Sequence, residues 1–151
     1  MPLTMRYHFR QRFAFPARQA FEWCTDFDPK DHELMGDVGA ERHITRLTDT
    51  TIILREVFPT PKGKIEKEKL VQLYPGTLSW TNTHLTGPNK YSQFLYQITP
   101  EGKDASILDF TGLHLDYERK SGAEEFAEKL CKEDAAAWKL LAKAMEKDLK
   151  K

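Results

Sequence analysis

Asp134 is the residue whose type fits its surroundings least. Counting 100° per residue along its segment places it at the centre of an apolar stripe, between Leu130, Trp138 and Leu141. A carboxylate there is costly to bury unless it is paired or neutralised. Two readings follow. In one, Asp134 faces an interior cavity, has a raised pKa, and orients a ligand or moves a proton. In the other, it pairs with an Arg, Lys or His of another element or reaches water at a cavity mouth, which is the commoner fate of such a group.

The stretch 77–85 alternates. Leu78, Trp80, Asn82 and His84 share one face, and Thr77, Ser79, Thr81 and Thr83 the other. The first face is read as inward. Trp80 is then a core or cavity-wall aromatic whose N–H wants a partner. An imidazole with an ordinary pKa near 6.5 could act as a general base at His84. A buried histidine is more often hydrogen-bonded and inert. In 91–99, Phe94, Tyr96 and Ile98 share a face, and the Tyr96 hydroxyl can go to a ligand or to backbone. With Trp138 from the helical stripe, the candidate ligand-binding set is Asp134, Trp138, Trp80, Asn82, His84, Tyr96 and Phe94. No catalytic residue is assigned. Gln11 and Glu56 share faces with apolar neighbours; each could be a polar spot in the cavity, and the commoner expectation is a strand-edge residue that reaches water.

Other chemistries lack their residues. Histidines 8, 32, 43, 84 and 114 form no i,i+4 pair, and the sequence contains no HExxH, P-loop, GxGxxG or GxSxG. With only two distant cysteines, no metal site is expected, and no cofactor is expected either.

The elements that must position these residues can be read from the rest of the chain. Its 151 residues, 40% hydrophobic and 30% charged, suit one domain spanning 1–151. Lys plus Arg equals Asp plus Glu at 23 each, so the broad positive field of nucleic-acid binding is lacking and no such partner is expected. No stretch reaches the ~18 apolar residues of a membrane span, and the first ten residues lack a secretory apolar run. Cys24 and Cys131 lie far apart, which suits a reducing compartment, and the expected location is cytoplasmic.

Residues 5–15 alternate Met5, Tyr7, Phe9, Phe13 and Phe15 against Arg6, His8, Arg10 and Arg12, as in a half-buried strand with a basic outer face. Pro16 opens a short helix to Phe27, and Asp28 caps a second to about Met35. Strands follow at 38–47, 50–58, 64–73, 77–85, 91–99 and 105–117, separated by turn signals that include Pro75-Gly76. Gly112 is read as a bulge that switches faces in the last of these. Ser121 and Glu124 match a capping box for a long helix to Lys150. Its polar face offers Glu125–Lys129 and Glu128–Lys132 pairs.

This order resembles the helix-grip fold of the START-like, or Bet v 1-like, superfamily (SRPBCC, polyketide cyclase-like). The marks are the opening strand into Phe15-Pro16-Ala17, then Phe21, Asp26 and Pro29, the strands around Trp80 and Tyr96, and the C-terminal helix. The resemblance implies an α+β fold in which a seven-stranded curved antiparallel sheet, two short helices and a long C-terminal helix surround a cavity. It implies binding or transport of a small hydrophobic or amphipathic ligand, such as a lipid, isoprenoid or aromatic. The superfamily also contains cyclase- and dehydratase-type enzymes and co-chaperone-like modules with a protein partner. The glycine-rich loop of plant members is absent, since strands two and three meet at Thr48-Asp49-Thr50.

Overall fold

The computed structural model describes residues 1–27 and 39–150. The second short helix expected from Asp28 lies outside the described residues. Seven strands form one sheet: β1 (Leu3–Phe13), β2 (Glu41–Arg46), β3 (Thr51–Thr60), β4 (Gly63–Tyr74), β5 (Ser79–His84), β6 (Gln93–Glu101) and β7 (Ala105–Asp116). Helix α1 (Ala17–Cys24) follows β1, and helix α2 (Ala123–Leu149) ends the chain. The strand order is β1-β7-β6-β5-β4-β3-β2, and every pairing is antiparallel. Hairpins therefore build six strands in sequence, while β1 closes onto β7 from the other end of the chain. This is the helix-grip arrangement.

The period-two pattern sets which side chains reach the interior. On β1, Met5, Tyr7 and Phe13 are buried, while Arg10 and His8 meet Asp109 of β7 and Arg12 meets Glu101 outside. On β7, Leu108, Phe110, Gly112 and His114 all face inward, and pairing with β1 and β6 runs without interruption. Gly112 is not a bulge. A Cβ on Gly112 would lie 2.7 Å from Tyr7 Cζ, so glycine is needed there to let the Tyr7 ring lie flat on the β7 backbone. Close approach, not a change of face, explains this glycine.

Helix α2 carries its apolar stripe as expected, but it begins differently. Its N-cap is Gly122 in the left-handed region (φ 78°), and no side chain caps it, so Ser121 lies one residue outside the helix. Glu124 and Glu125 in the first turn favour the positive end of the helix dipole instead. On the polar face Lys129 meets Glu133, not Glu125. The deepest residues of α2 are Leu141 and Met145, near its C-terminal end. Met145 shares one core cluster with Phe13, Ile52, Leu54 and Val71, so the sheet curls round that end. Asp148, near the C-terminal end of α2, accepts a hydrogen bond from Trp23 Nε1 of α1 at 3.0 Å.

A cavity walled by aromatics with one charged side

Between the sheet, α1 and α2 lies a cavity of about 200 Å³. Its wall contains all three tryptophans of the chain, Trp23, Trp80 and Trp138. Each arrives by a different route. Trp23 is near the end of α1, Trp80 is on the inward face of β5, and Trp138 is on the stripe of α2. Trp80 and Tyr96 are register partners on β5 and β6, and their rings stack at 4.8 Å and 3°. Trp138 lies 5.7 Å from Tyr96 and 6.5 Å from Trp80. Burial and the charge of Asp134 push the Tyr96 hydroxyl well above the usual phenol range, so it stays a neutral donor and acceptor.

Part of the cavity wall is charged. Glu56 projects inward from the middle of β3 and is 1% exposed. Its Oε2 accepts from Arg42 Nη2 of β2 at 3.3 Å, and its Oε1 meets Lys69 Nζ of β4. This corrects the expectation that Glu56 reaches water. The alternation with Ile52 and Leu54 was the signal. What the sequence hid was the pair of cations, since register places Arg42 opposite Glu56 and Lys69 opposite Leu54. Asn82 of β5 borders the same region, and its buried Oδ1 has no hydrogen-bond partner among the described residues.

Four candidates from the sequence, Trp80, Asn82, Tyr96 and Trp138, are therefore brought together in the cavity wall. Three are placed beside it. His84 is buried against Phe94, with ring centroids 5.0 Å apart, and sits opposite Lys69 in the β4–β5 register. Burial and then the charge of Lys69 lower its pKa to about 3, so it is neutral at ordinary pH. Phe94 packs with Tyr7 and Phe110 in a second cluster. Asp134 points toward β1 and accepts the Tyr7 hydroxyl at 2.5 Å. Burial raises the Asp134 pKa, and the Tyr7 bond works against that rise. The residues that sequence reasoning missed are Trp23, Cys24, Phe27, Arg42, Leu54, Phe58, Lys69 and Leu141, all in the wall.

Among the described residues, no cluster of His, Cys, Asp and Glu could hold a metal, and no helix is long and apolar enough to cross a membrane. No protein-family model matches the sequence, and neither does any curated protein. Solved structures do match over nearly the whole chain. The Zhui aromatase/cyclase from Streptomyces sp. R1128 is 13% identical with a TM-score of 0.76, covering 95% of this chain and 94% of its own. Ara h 8.0201 is 8% identical with a TM-score of 0.74, covering 95% and 98%. Norcoclaurine synthase from Thalictrum flavum, in complex with dopamine and hydroxybenzaldehyde, is 15% identical with a TM-score of 0.71, covering 97% and 86%. The chain thus has the SRPBCC, or Bet v 1-like, fold; at these identities the likeness is one of fold.

Proposed function

We propose that residues 1–151 act as one domain that binds a small amphipathic molecule in this cavity. One observation carries the reading: the wall of a cavity of about 200 Å³ combines three tryptophans with a buried Glu–Lys pair. Burial against such a wall holds the apolar body of a ligand, and a few polar groups fix its orientation. Drug-sized ligands occupy pockets of roughly 300–1,000 Å³. This volume therefore favours a one- or two-ring aromatic or a short isoprenoid over a full lipid. The solved neighbours support the reading as analogy. One is a synthase crystallised with two single-ring aromatics, dopamine and hydroxybenzaldehyde.

Carriage fits better than the two rival readings. A cyclase- or dehydratase-type enzyme needs an acid–base group within reach of its substrate. Asp134 is turned to Tyr7 and His84 lies outside the cavity wall, while of the groups in the wall burial keeps the Tyr96 hydroxyl neutral and Glu56 and Lys69 are engaged with each other. A protein-interaction module is better served by a filled interior. Cys24 and Cys131 lie far apart in the sequence and form no CxxC pair, which suits a reducing, cytoplasmic setting.

Native mass spectrometry and solvent extraction of freshly purified protein, with a thermal-shift panel of aromatic and isoprenoid compounds, test the reading. The expected result is a stoichiometric adduct or a melting shift that is lost in Trp80→Ala. Absence of any adduct together with a flat panel overturns it.

A further inference from the structure

We propose that the ligand is an aromatic acid: one or two fused rings bearing a single carboxylate, with the rings against Trp80, Tyr96 and Trp138 and the carboxylate on Lys69. This rests on the cavity-binding reading and specifies the chemistry of what is bound.

The cavity is polarised along its strands. Lys69 precedes Leu73 by four residues on β4, and Leu73 is the register partner of Trp80. Four residues of strand span about 13 Å of backbone, so Lys69 and the stacked Trp80–Tyr96 pair are spaced along the sheet on the scale of a two-ring acid.

Lys69 has donors to offer. An ammonium carries three N–H groups. Its contact with Glu56 occupies one carboxylate oxygen, because the other oxygen of Glu56 accepts from Arg42. Lys69 lines the cavity, and its contact with Glu56 needs only one of its three donors. The field of Lys69 is felt on both flanks, where it opposes protonation of His84 and favours ionisation of Asp134. Glu56 pairs with Lys69, yet the lining still carries two cations, Arg42 and Lys69, against the single carboxylate of Glu56. The Asn82 amide, also in the wall, carries two N–H donors from which a carboxylate can accept. A cationic ligand would instead bring its charge against Lys69.

Glu56 tunes this site. It holds Lys69 in place and also competes with an incoming anion for its donors. Removing the charge of Glu56 while keeping its shape therefore strengthens anion binding, whereas removing Lys69 abolishes the preference. A merely structural pair would not give opposite signs.

The test is calorimetric titration of the full chain with 2-naphthoate, its neutral amide 2-naphthamide and the cation 2-naphthylmethylammonium. The wild type is expected to bind the acid about tenfold or more tightly than the amide, the size of one charge-assisted hydrogen bond, and the cation most weakly. Lys69→Met is expected to erase the acid–amide difference and Glu56→Gln to widen it. Equal affinity for acid and amide in the wild type overturns the assignment, as does a preference that survives in folded Lys69→Met. If Lys69→Met does not fold, Glu56→Gln decides, and a preference that is unchanged or smaller overturns the assignment. Binding of the amide or of other panel compounds without preference for the acid sinks this inference alone. Silence across the whole panel, with no native adduct, sinks the cavity-binding reading with it.

Discussion

The Tyr7 hydroxyl donates to Asp134 Oδ2 across 2.5 Å and joins the middle of the long helix to the edge strand β1. The two residues are 127 positions apart in the chain, and each suits the other. Asp134 needs a donor because it is half-buried. Tyr7 can reach it because Gly112 leaves room beneath the ring. Tyr7→Phe removes the donor and keeps the ring. It is expected to cost about 1–3 kcal/mol, the penalty for leaving a desolvated acceptor unsatisfied. Asp134→Asn, which keeps an acceptor, should cost less. Denaturant unfolding of both variants and the double mutant gives the coupling, and additive effects would contradict the bond.

The same carboxyl gives a pH signature. Burial raises the pKa of Asp134 above its ordinary value. As pH rises through the carboxylate range, the unfolded chain releases this proton before the folded chain does. The folded state then binds more protons, and stability falls with rising pH. Urea unfolding between pH 3 and 6 should therefore show wild type losing stability relative to Asp134→Asn as pH rises. A parallel pair of curves would mean that Asp134 is solvated.

His84 predicts a slope of opposite sign. Its pKa is lowered from 6.5 to about 3, first by burial and then by Lys69. Between those values the unfolded chain takes up a proton that the folded chain refuses. Stability present above pH 6.5 is thus lost as pH falls toward 3, by at most about 1.4 kcal/mol per pH unit. His84→Gln should flatten that part of the profile. An NMR titration in which the His84 imidazole charges between pH 5 and 8 would contradict its burial beside Lys69.

Gly112→Ala tests the room beneath Tyr7. The new methyl would sit 2.7 Å from Cζ and 2.9 Å from Cε1 of Tyr7, so the ring must move. The expected loss is about 1–3 kcal/mol. Tyr7→Phe should cost less in this background than in wild type, because the ring shift has already lengthened the bond to Asp134. Full additivity would show that the ring had not moved.

Glu56→Ala should be the most damaging single change in the cavity wall. It strips Arg42 and Lys69 of a carboxylate that is 1% exposed and leaves both cations facing the cavity. Breaking a buried pair from one side costs about 3–5 kcal/mol. Chemical denaturation measures it, and a loss below 1 kcal/mol would place Glu56 in water.

Local periodicity determined much of this protein. Alternation, β-branched runs and turn signals, with a 3.6-residue stripe on the last segment, specified the strands, the long helix and their order. The same patterns put Trp80, Asn82, Tyr96 and Trp138 on inward faces, because a side chain's face depends only on its neighbours in sequence. They also singled out Asp134 as a polar residue in an apolar stripe. What the patterns could not supply was pairing. Which strand lies beside which, and in what register, is fixed by contacts between residues far apart in sequence. Strand register set Arg42 opposite Glu56 and Lys69 beside it, turning three separately unremarkable charges into the polar side of the cavity. Closure of β1 onto β7 set Tyr7 over Gly112, and there the tertiary structure decided that the carboxylate of Asp134 would meet a phenol on the first strand instead of the cavity.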